Sequence, residues 1–137
     1  VDYNVKQVLR HNEPVRSRAE ALAGNLERLG VQNAIVTCMR PDALAAQLGA
    51  CFDVVLVDAP CSGLGVLRRR PDARWRKEDS LKELPELQKK ILNSAAQCVK
   101  PGGVLVYSTC TLEDAENTAI VEQFLRPHTS TSYNLPR

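Results

Sequence analysis

The sequence predicts an α/β fold in which a mostly parallel sheet carries helices on both faces. Strand-like and helix-like segments alternate four times along the chain, which is typical of parallel strands joined by helical crossovers. The run Val54–Val57 is apolar without alternation, as in a strand buried on both faces. Gly30 and Gly49 each follow a helix-like apolar pattern, at the position where helices commonly end.

The first half of the chain contains two predicted strands and two predicted helices. Val5–Arg10 is a weak strand candidate, and Ala34–Cys38 is a second strand. Pro14 opens a helix that ends at Gly30. Its apolar residues recur at three- and four-residue steps: Val15, Ala19, Leu22, Ala23, Leu26 and Leu29. Pro41 begins a short helix that Gly49 closes, since proline is tolerated in a first helical turn.

The second half begins with the strongest strand, Phe52–Val57, and a basic loop that runs through Trp75. A helix follows, with Pro85 in its first turn. Its apolar residues are Leu84, Leu87, Ile91, Leu92, Ala95 and Val99. A turn at Pro101–Gly103 leads into the fourth strand, Val104–Tyr107.

Thr111, followed three residues later by Asp114, resembles a capping box for a last helix through about Leu125. We predict one domain over residues 1–126 and a polar C-terminal tail over residues 127–137, which contains two prolines.

Right-handed crossovers favour the strand order 2-1-3-4 in a doubly wound sheet. In such sheets ligands bind beyond the carboxyl ends of the strands. Parallel strands therefore bring together side chains that are distant in sequence, and two thiols and up to three carboxylates are expected along one edge. The candidates that follow strands are Glu13, Asp42, Asp58, Pro60, Cys61, Thr109 and Cys110.

Composition excludes several classes of protein. Apolar residues make up 44% and charged residues 25% of the 137 residues, as in an ordinary globular domain. No apolar run reaches the roughly 18 residues of a membrane-spanning helix, and the first residues do not resemble a signal peptide. The five cysteines are widely spaced without a Cys-x-x-Cys pair, so no metal site is expected. A cytoplasmic location with reduced thiols is the expectation.

Positive charge is concentrated between the third strand and the third helix, although the net charge is only +2. Six basic side chains fall within ten residues: Arg68, Arg69, Arg70, Arg74, Arg76 and Lys77. Such a run can contact phosphates of a nucleic acid, or it can be a solvated loop. Composition alone leaves both readings open.

Two motifs at strand ends carry a family resemblance. Asp58–Gly63 and Ser108–Cys110 resemble the Nop/Sun, bacterial Sun-type, family of S-adenosylmethionine-dependent RNA 5-methylcytosine methyltransferases. Further matching segments are Arg69–Trp75, Leu87–Gln88, Lys100–Gly103 and Glu116–Asn117. The resemblance implies a Rossmann-like methyltransferase core, S-adenosyl-L-methionine as cofactor, and RNA as partner, with 16S ribosomal RNA favoured.

The resemblance also implies roles for individual residues. Cys110 is the nucleophile that adds to C6 of cytosine, and its pKa is expected to be lowered because the thiolate attacks. Cys61 acts in the release step, and Asp58 holds the cytosine ring. Pro60 stiffens the loop that presents these groups, and Asp58 and Pro60 also border the cofactor. The other three cysteines carry no motif and are read as structural or incidental.

Two carboxylates are cofactor candidates with open alternatives. Glu13 is expected to accept the ribose hydroxyls of the cofactor, or else to be an ordinary acid at a helix N-terminus. Asp42 is a candidate for the adenine side, although its context departs from the commoner family spacing. Trp75 either contacts RNA or seals its loop against the core. The candidate RNA-binding residues are Arg69, Arg70, Arg74 and Trp75.

One expected part of the family's domain is missing from the sequence. No Ala-Pro-Gly-Gly-Lys-Thr type of loop occurs, and the strand that would precede it lies at the centre of the family's sheet. Either the strand at Val5–Arg10 pairs directly with Phe52–Val57, or the gap is filled by association, which would make a homo-oligomer. Cofactor affinity should be weakened in both cases.

Two other functions remain open from the sequence. The first is a catalytically inactive α/β fragment that only binds RNA or self-associates, which the missing glycine loop favours. The second is a DNA cytosine-5 methyltransferase, which would leave Thr109–Cys110 unexplained, because those enzymes take their nucleophile from the proline-cysteine position.

Overall fold

The computed structural model of the protein describes residues 8–69, 71, 75 and 82–126. The start of the first predicted strand, Arg70, Arg74 and the predicted tail lie outside the described residues. Within those residues, no helix is both long and apolar enough to cross a membrane. The chain divides into two compact units, residues 1–47 and 48–137.

The described elements alternate between strand and helix, as predicted. The strands are β1 (Leu9–Asn12), β2 (Ala34–Thr37), β3 (Phe52–Asp58) and β4 (Val99–Ser108). The helices are α1 (Arg16–Arg28), α2 (Pro41–Leu48), α3 (Leu84–Ala96) and α4 (Thr118–Leu125). Two short 3₁₀ helices cover Leu64–Val66 and Asp114–Glu116. The prediction of an α/β fold with parallel strands is confirmed.

In the first unit, β1 and β2 form a parallel pair in register from Leu9 opposite Ala34 to Asn12 opposite Thr37. Helix α1 packs against β2 and buries Ala19. The helix ends as the sequence predicts, because Gly30 takes a positive φ of 70° that side chains rarely adopt.

In the second unit, β3 and β4 form a parallel pair that runs in register from Val54 opposite Val104 to Asp58 opposite Ser108. Helix α3 packs against both strands, and α4 packs against α3. Leu92 of α3 and Ile120 of α4 are almost fully buried, and they form the centre of this core. The register places the carboxyl ends of β3 and β4 side by side.

The predicted strand order 2-1-3-4 is wrong at its centre. The described strands form two separate two-stranded sheets, β1–β2 and β3–β4, so the direct pairing of the first and third strands is not formed. Only the outer pairings of the predicted order are confirmed.

The prediction that Val54–Val57 is buried on both faces is also wrong. Val57 is 6% exposed, whereas Val54 and Leu56 on the other face are 62% and 67% exposed. Their partners across the pair, Val104 and Val106, are exposed as well. Helix packing therefore covers one face of the β3–β4 pair and leaves an apolar strip on the other.

Strand β4 begins earlier than predicted. The third helix ends at Ala96 instead of Val99, and the predicted turn at Pro101–Gly103 lies inside β4, at a register shift opposite β3. Gly102 has a φ of 80°. A Cβ on Gly103 would stand 2.8 Å from the Asp53 carbonyl oxygen. The two glycines thus form an irregularity within β4, and the strand continues through them without the predicted turn.

The last helix begins later than predicted. The Thr111 hydroxyl accepts the backbone N–H of Glu113 at 3.2 Å. A 3₁₀ helix over Asp114–Glu116 follows, and α4 starts only at Thr118. The predicted capping box at Thr111 and Asp114 is therefore wrong, because the hydroxyl caps the loop and does not cap a helix.

Candidate active site

The loops that follow β3 and β4 bring Cys61 and Cys110 into contact. Their Sγ atoms are 3.0 Å apart although the residues are 49 positions apart in sequence. The Cys110 backbone N–H also donates to Cys61 Sγ at 3.3 Å. The predicted proximity of the two thiols, called the thiol pair below, is confirmed.

The strand register produces this contact. Asp58 pairs with Ser108 at the end of the ladder, and the Ala59 N–H donates to the Ser108 carbonyl oxygen at 2.9 Å. Each cysteine then follows its strand end by two or three residues. Cys61 is buried and Cys110 is exposed, so Cys110 is the sulfur that a large substrate can reach.

The surroundings raise the pKa of the Cys110 thiol above its ordinary value. The main cause is the hydrogen bond with Cys61, followed by partial burial, and the Asp58 carboxylate adds a smaller effect in the same direction. The prediction of a lowered pKa is therefore wrong for this structure. Either sulfur can be the donor of this hydrogen bond, and with Cys110 as the donor the bond stabilises its protonated form.

A buried carboxylate anchors the Cys61 loop (residues 59–63). Glu116 Oε2 accepts the backbone N–H of Ser62 at 2.9 Å and the Gln88 side-chain amide at 2.9 Å. The same Gln88 amide donates to the Pro60 carbonyl oxygen at 2.9 Å. Glu116 is 4% and Gln88 0% exposed, so these bonds are shielded from water.

A side-chain amide anchors the Cys110 loop (residues 109–113). Asn117 Nδ2 donates to the carbonyl oxygens of Thr111 at 2.8 Å and Glu113 at 3.2 Å. Asn117 Oδ1 accepts the Thr109 hydroxyl. The Ser62 hydroxyl donates to the Thr111 hydroxyl oxygen at 2.8 Å, which links the two loops directly.

Two further residues at the site were not singled out from the sequence. Gly65 packs on the Cys110 backbone, and its N–H donates to the Cys110 carbonyl oxygen at 3.1 Å. The Tyr107 hydroxyl donates to the Glu116 carbonyl oxygen at 2.9 Å. Burial, then the charges of Glu116 and Cys61, raise the pKa of Tyr107 to about 12, so the phenol stays protonated. The glycine after a strand-end turn was the available signal for Gly65.

Asp58 ends β3 with an exposed side chain. Its carboxylate makes no side-chain hydrogen bond with any of the residues the structure describes, and its charge acts on Cys110. The carboxylate is therefore available to a ligand beside the exposed thiol.

The two cofactor candidates of the first unit, Glu13 and Asp42, both make hydrogen bonds within the chain. Glu13 Oε1 accepts the Val15 N–H at 2.9 Å and lies 3.5 Å from Arg18 Nε, whereas its predicted role toward the cofactor ribose stays a prediction. Asp42 accepts two hydrogen bonds from Arg40, at 3.1 and 2.9 Å. These bonds are the main reason that the pKa of Asp42 is lowered.

The predicted RNA-binding residues are only partly described. Arg69 is exposed, and Arg70 and Arg74 lie outside the described residues. Trp75 is 86% exposed, so the alternative that it seals the loop against the core is wrong.

The described part of the chain contains no group of three or more His, Cys, Asp or Glu side chains placed to hold a metal ion.

Comparisons with known proteins agree on one family. Residues 3–135 match the family model described as 16S rRNA methyltransferase RsmB/F. The chain is 44% identical over 85% of its length to ribosomal RNA small subunit methyltransferase F of Vibrio vulnificus (strain YJ016). The corresponding protein of Erwinia tasmaniensis is 43% identical over 119 residues. The chain spans 25% of the length of both relatives.

Two solved structures also match most of the chain. The crystal structure of PH0851 matches 88% of the chain with a TM-score of 0.83 and 32% identity, over 28% of its own length. NSun6 from Pyrococcus horikoshii, determined with SFG, an analogue of S-adenosylmethionine, matches 88% of the chain with a TM-score of 0.77 and 32% identity. The match covers 30% of that protein.

Proposed function

The chain belongs to the RsmB/F family of 16S rRNA methyltransferases, which depend on S-adenosylmethionine, and from that premise we propose a reaction for its thiol pair. The reaction is methyl transfer to C5 of a cytosine in small-subunit ribosomal RNA through a covalent adduct with Cys110. The observation that carries the proposal is the 3.0 Å contact between Cys61 and Cys110 at two adjacent parallel strand ends.

C5 of cytosine is a poor nucleophile, so the reaction requires a sulfur nucleophile that first adds to the ring. The Cys110 thiolate adds to C6, and the electron pair moves to C5, which becomes able to attack a methyl group. Bound S-adenosylmethionine would supply that electrophilic methyl group, with S-adenosylhomocysteine as the leaving group. Cys61, acting as the thiolate, then accepts the proton from C5. The C5–H electron pair restores the C5–C6 double bond, the sulfur–C6 bond breaks, and Cys110 leaves as the thiolate. The exposed Cys110 and the buried Cys61 suit attack and release respectively.

Asp58 beside the thiol pair and two exposed residues of the basic loop suit recognition of an RNA base. Asp58 is available to hold the cytosine ring and to stabilise a protonated N3 while the adduct forms. The base must be unpaired or flipped out to reach Cys110. Arg69 and Trp75 are exposed, and they suit phosphate contact and base stacking. The contacts predicted for Arg70 and Arg74 remain predictions.

The cofactor assignments of Glu13, Asp42 and Pro60 remain predictions too. Carboxylates are chemically suited to ribose hydroxyls. One oxygen of Glu13 is occupied by the Val15 N–H, so its second oxygen is the one left for a hydroxyl. Both oxygens of Asp42 are occupied by Arg40. These contacts use part of the acceptor capacity of each carboxylate and leave the rest for ribose hydroxyls.

Trapping on a modified RNA tests the proposal. An RNA that carries 5-fluorocytosine holds the enzyme as a covalent adduct, because the C5 fluorine cannot leave as a proton does. With S-adenosylmethionine present, the wild-type chain is expected to form an adduct that denaturing electrophoresis detects. The Cys110→Ser variant should form none. An adduct that persists in Cys110→Ser would refute the assigned nucleophile.

A second candidate function, self-association, rests on the apolar strip of the β3–β4 pair. Val54, Leu56, Val104 and Val106 are between 42% and 67% exposed and adjacent in register, and contiguous apolar surface of this kind marks association sites. Light scattering should then show a dimer of the wild-type chain and a monomer of Leu56→Lys. A monomeric wild-type chain would remove this candidate.

A further inference from the structure

We propose that Glu116 and Asn117 are positioning residues that together fix the thiol pair, each holding one of the two cysteine loops. The inference rests on the proposed function, because it assigns these residues a part in the same reaction. Neither residue touches a sulfur in the described contacts, so both act through the loops that they hold.

The main support is that two consecutive residues each contact a different cysteine loop. Glu116 holds the Cys61 loop through the Ser62 N–H, and Asn117 holds the Cys110 loop through the Thr111 carbonyl oxygen. Because the two anchors are joined by one peptide bond, a shift of either loop is transmitted to the other. The separation of Cys61 and Cys110 is thus tied to a single short segment at the end of a 3₁₀ helix.

The orientation of Gln88 strengthens the Glu116 anchor. Its amide nitrogen donates to both Pro60 and Glu116, while its Oε1 is buried without a hydrogen-bond partner in the described structure. Turning the amide over would lose both donated bonds. The unpartnered oxygen shows that the two acceptors, one on the Cys61 loop and one on Glu116, determine how this side chain is placed.

A buried carboxylate without these bonds would be costly, because desolvation penalises the charge. Glu116 therefore requires Ser62 and Gln88 as donors, and the Cys61 loop requires Glu116 as acceptor. Replacing Glu116 by alanine leaves two buried donors unsatisfied. The Cys61 loop should then open locally, and the rest of the second unit should stay folded.

The experiment measures how fast each thiol reacts with iodoacetamide in the native chain, with peptide mass spectrometry to separate the cysteines. Cys61 and Cys98 are both buried, but Cys98 lies at the start of β4, away from the anchored loops. Glu116→Ala and Asn117→Ala are expected to raise the Cys61 rate about tenfold, equivalent to about 1.4 kcal/mol of local opening. The Cys98 rate should not change.

Three control variants separate positioning from general stability. Glu122→Ala makes the same chemical change at an exposed site of α4 and should alter neither rate. Ile120→Val weakens the core at a residue that is 1% exposed, so any increase should affect both buried thiols together. Glu116→Gln keeps an oxygen that can accept the Ser62 N–H, and it should restore most of the Cys61 protection. It also serves as the test variant if Glu116→Ala does not fold.

Two results would overturn the inference. One is a parallel increase for Cys61 and Cys98 in Glu116→Ala, which would indicate a merely structural role, and the other is an unchanged Cys61 rate. Because alkylation needs neither RNA nor cofactor, its outcome is independent of the adduct assay. Selective exposure of Cys61 without any adduct in the wild-type chain would support the anchoring and refute the proposed function. With an active chain, Glu116→Ala should also slow adduct formation about tenfold.

Discussion

Gly65→Ala should displace the proposed nucleophile, because the added methyl group meets the backbone of Cys110. A Cβ at residue 65 would stand 2.8 Å from the Cys110 carbonyl oxygen and 3.5 Å from Thr111 Cα. Ordinary contact begins at 3.4 Å, so the Cys110 loop must retreat by roughly 0.6 Å. The φ of Gly65 is not positive, so alanine adds only this steric conflict and no backbone strain.

The energetic consequence follows from two opposing effects. Overpacking of this kind lowers the free energy of unfolding by about 1–3 kcal/mol. The better helix propensity of alanine raises it by up to about 1 kcal/mol. We expect the free energy of unfolding to fall by about 1–2 kcal/mol, measured by urea denaturation. Displacements of about 1 Å can cost about a hundredfold in rate, so adduct formation on 5-fluorocytosine RNA should slow about tenfold or more.

Gly24→Ala is the matched control. Gly24 lies inside α1, and a Cβ there would meet nothing within 4 Å. The same substitution should therefore stabilise the chain by about 0.5–1 kcal/mol and leave adduct formation unchanged. If Gly65→Ala is as stable as Gly24→Ala and forms the adduct at the wild-type rate, the close approach of residue 65 to Cys110 has no energetic consequence and the reasoning fails.

Three other predictions concern the thiol pair and the core beneath it. Cys61→Ala should lower the pKa of Cys110 toward the ordinary 9.0, because the bond to Cys61 is the main cause of the raised value; an unmoved midpoint in the pH dependence of Cys110 alkylation would contradict this. Gln88→Ala should cost about 1–3 kcal/mol in urea denaturation, because it removes the amide that donates to the Pro60 carbonyl oxygen and to Glu116 Oε2. A neutral result would mean that water replaces the amide. Leu92→Ala should cost about 2–5 kcal/mol, since Leu92 is 2% exposed, and a thermal melt within 2 °C of wild type would contradict its place in the core.

The sequence predicted the parts of the fold that depend on local pattern. The helix ends at Gly30 and Gly49 were predicted from a glycine that follows a helical apolar pattern, and both glycines take positive φ values, 70° and 59°. The family resemblance, predicted from the motifs at Asp58–Gly63 and Thr109–Cys110, was also confirmed. Side-by-side parallel strands were sufficient to predict the contact of Cys61 with Cys110, because that contact requires only two adjacent carboxyl ends.

Two local predictions were wrong, the turn at Pro101–Gly103 and the capping box at Thr111, and the other incorrect predictions concern packing between segments. The pattern of Val54–Val57 indicates a strand but does not say how many faces are covered, and Leu56 is 67% exposed. The role of Glu116 was hidden because an acid before an asparagine usually lies on the surface. Its burial depends on Gln88 and Ser62, and the three residues meet only after α3 and the Cys61 loop have packed together.

The raised pKa of Cys110 is compatible with a nucleophilic role once the approach of a substrate is considered. In the structure, the hydrogen bond to Cys61 at 3.0 Å is the main stabiliser of the protonated thiol. A pyrimidine positioned for attack brings its C6 within about 3–3.5 Å of the sulfur, and we propose that Cys110 turns toward it and away from Cys61. Turning weakens the contact with Cys61, which removes the largest cause of the raised pKa. The proposed reaction therefore predicts that the Cys110 thiol ionises more readily with a bound base than in the free protein.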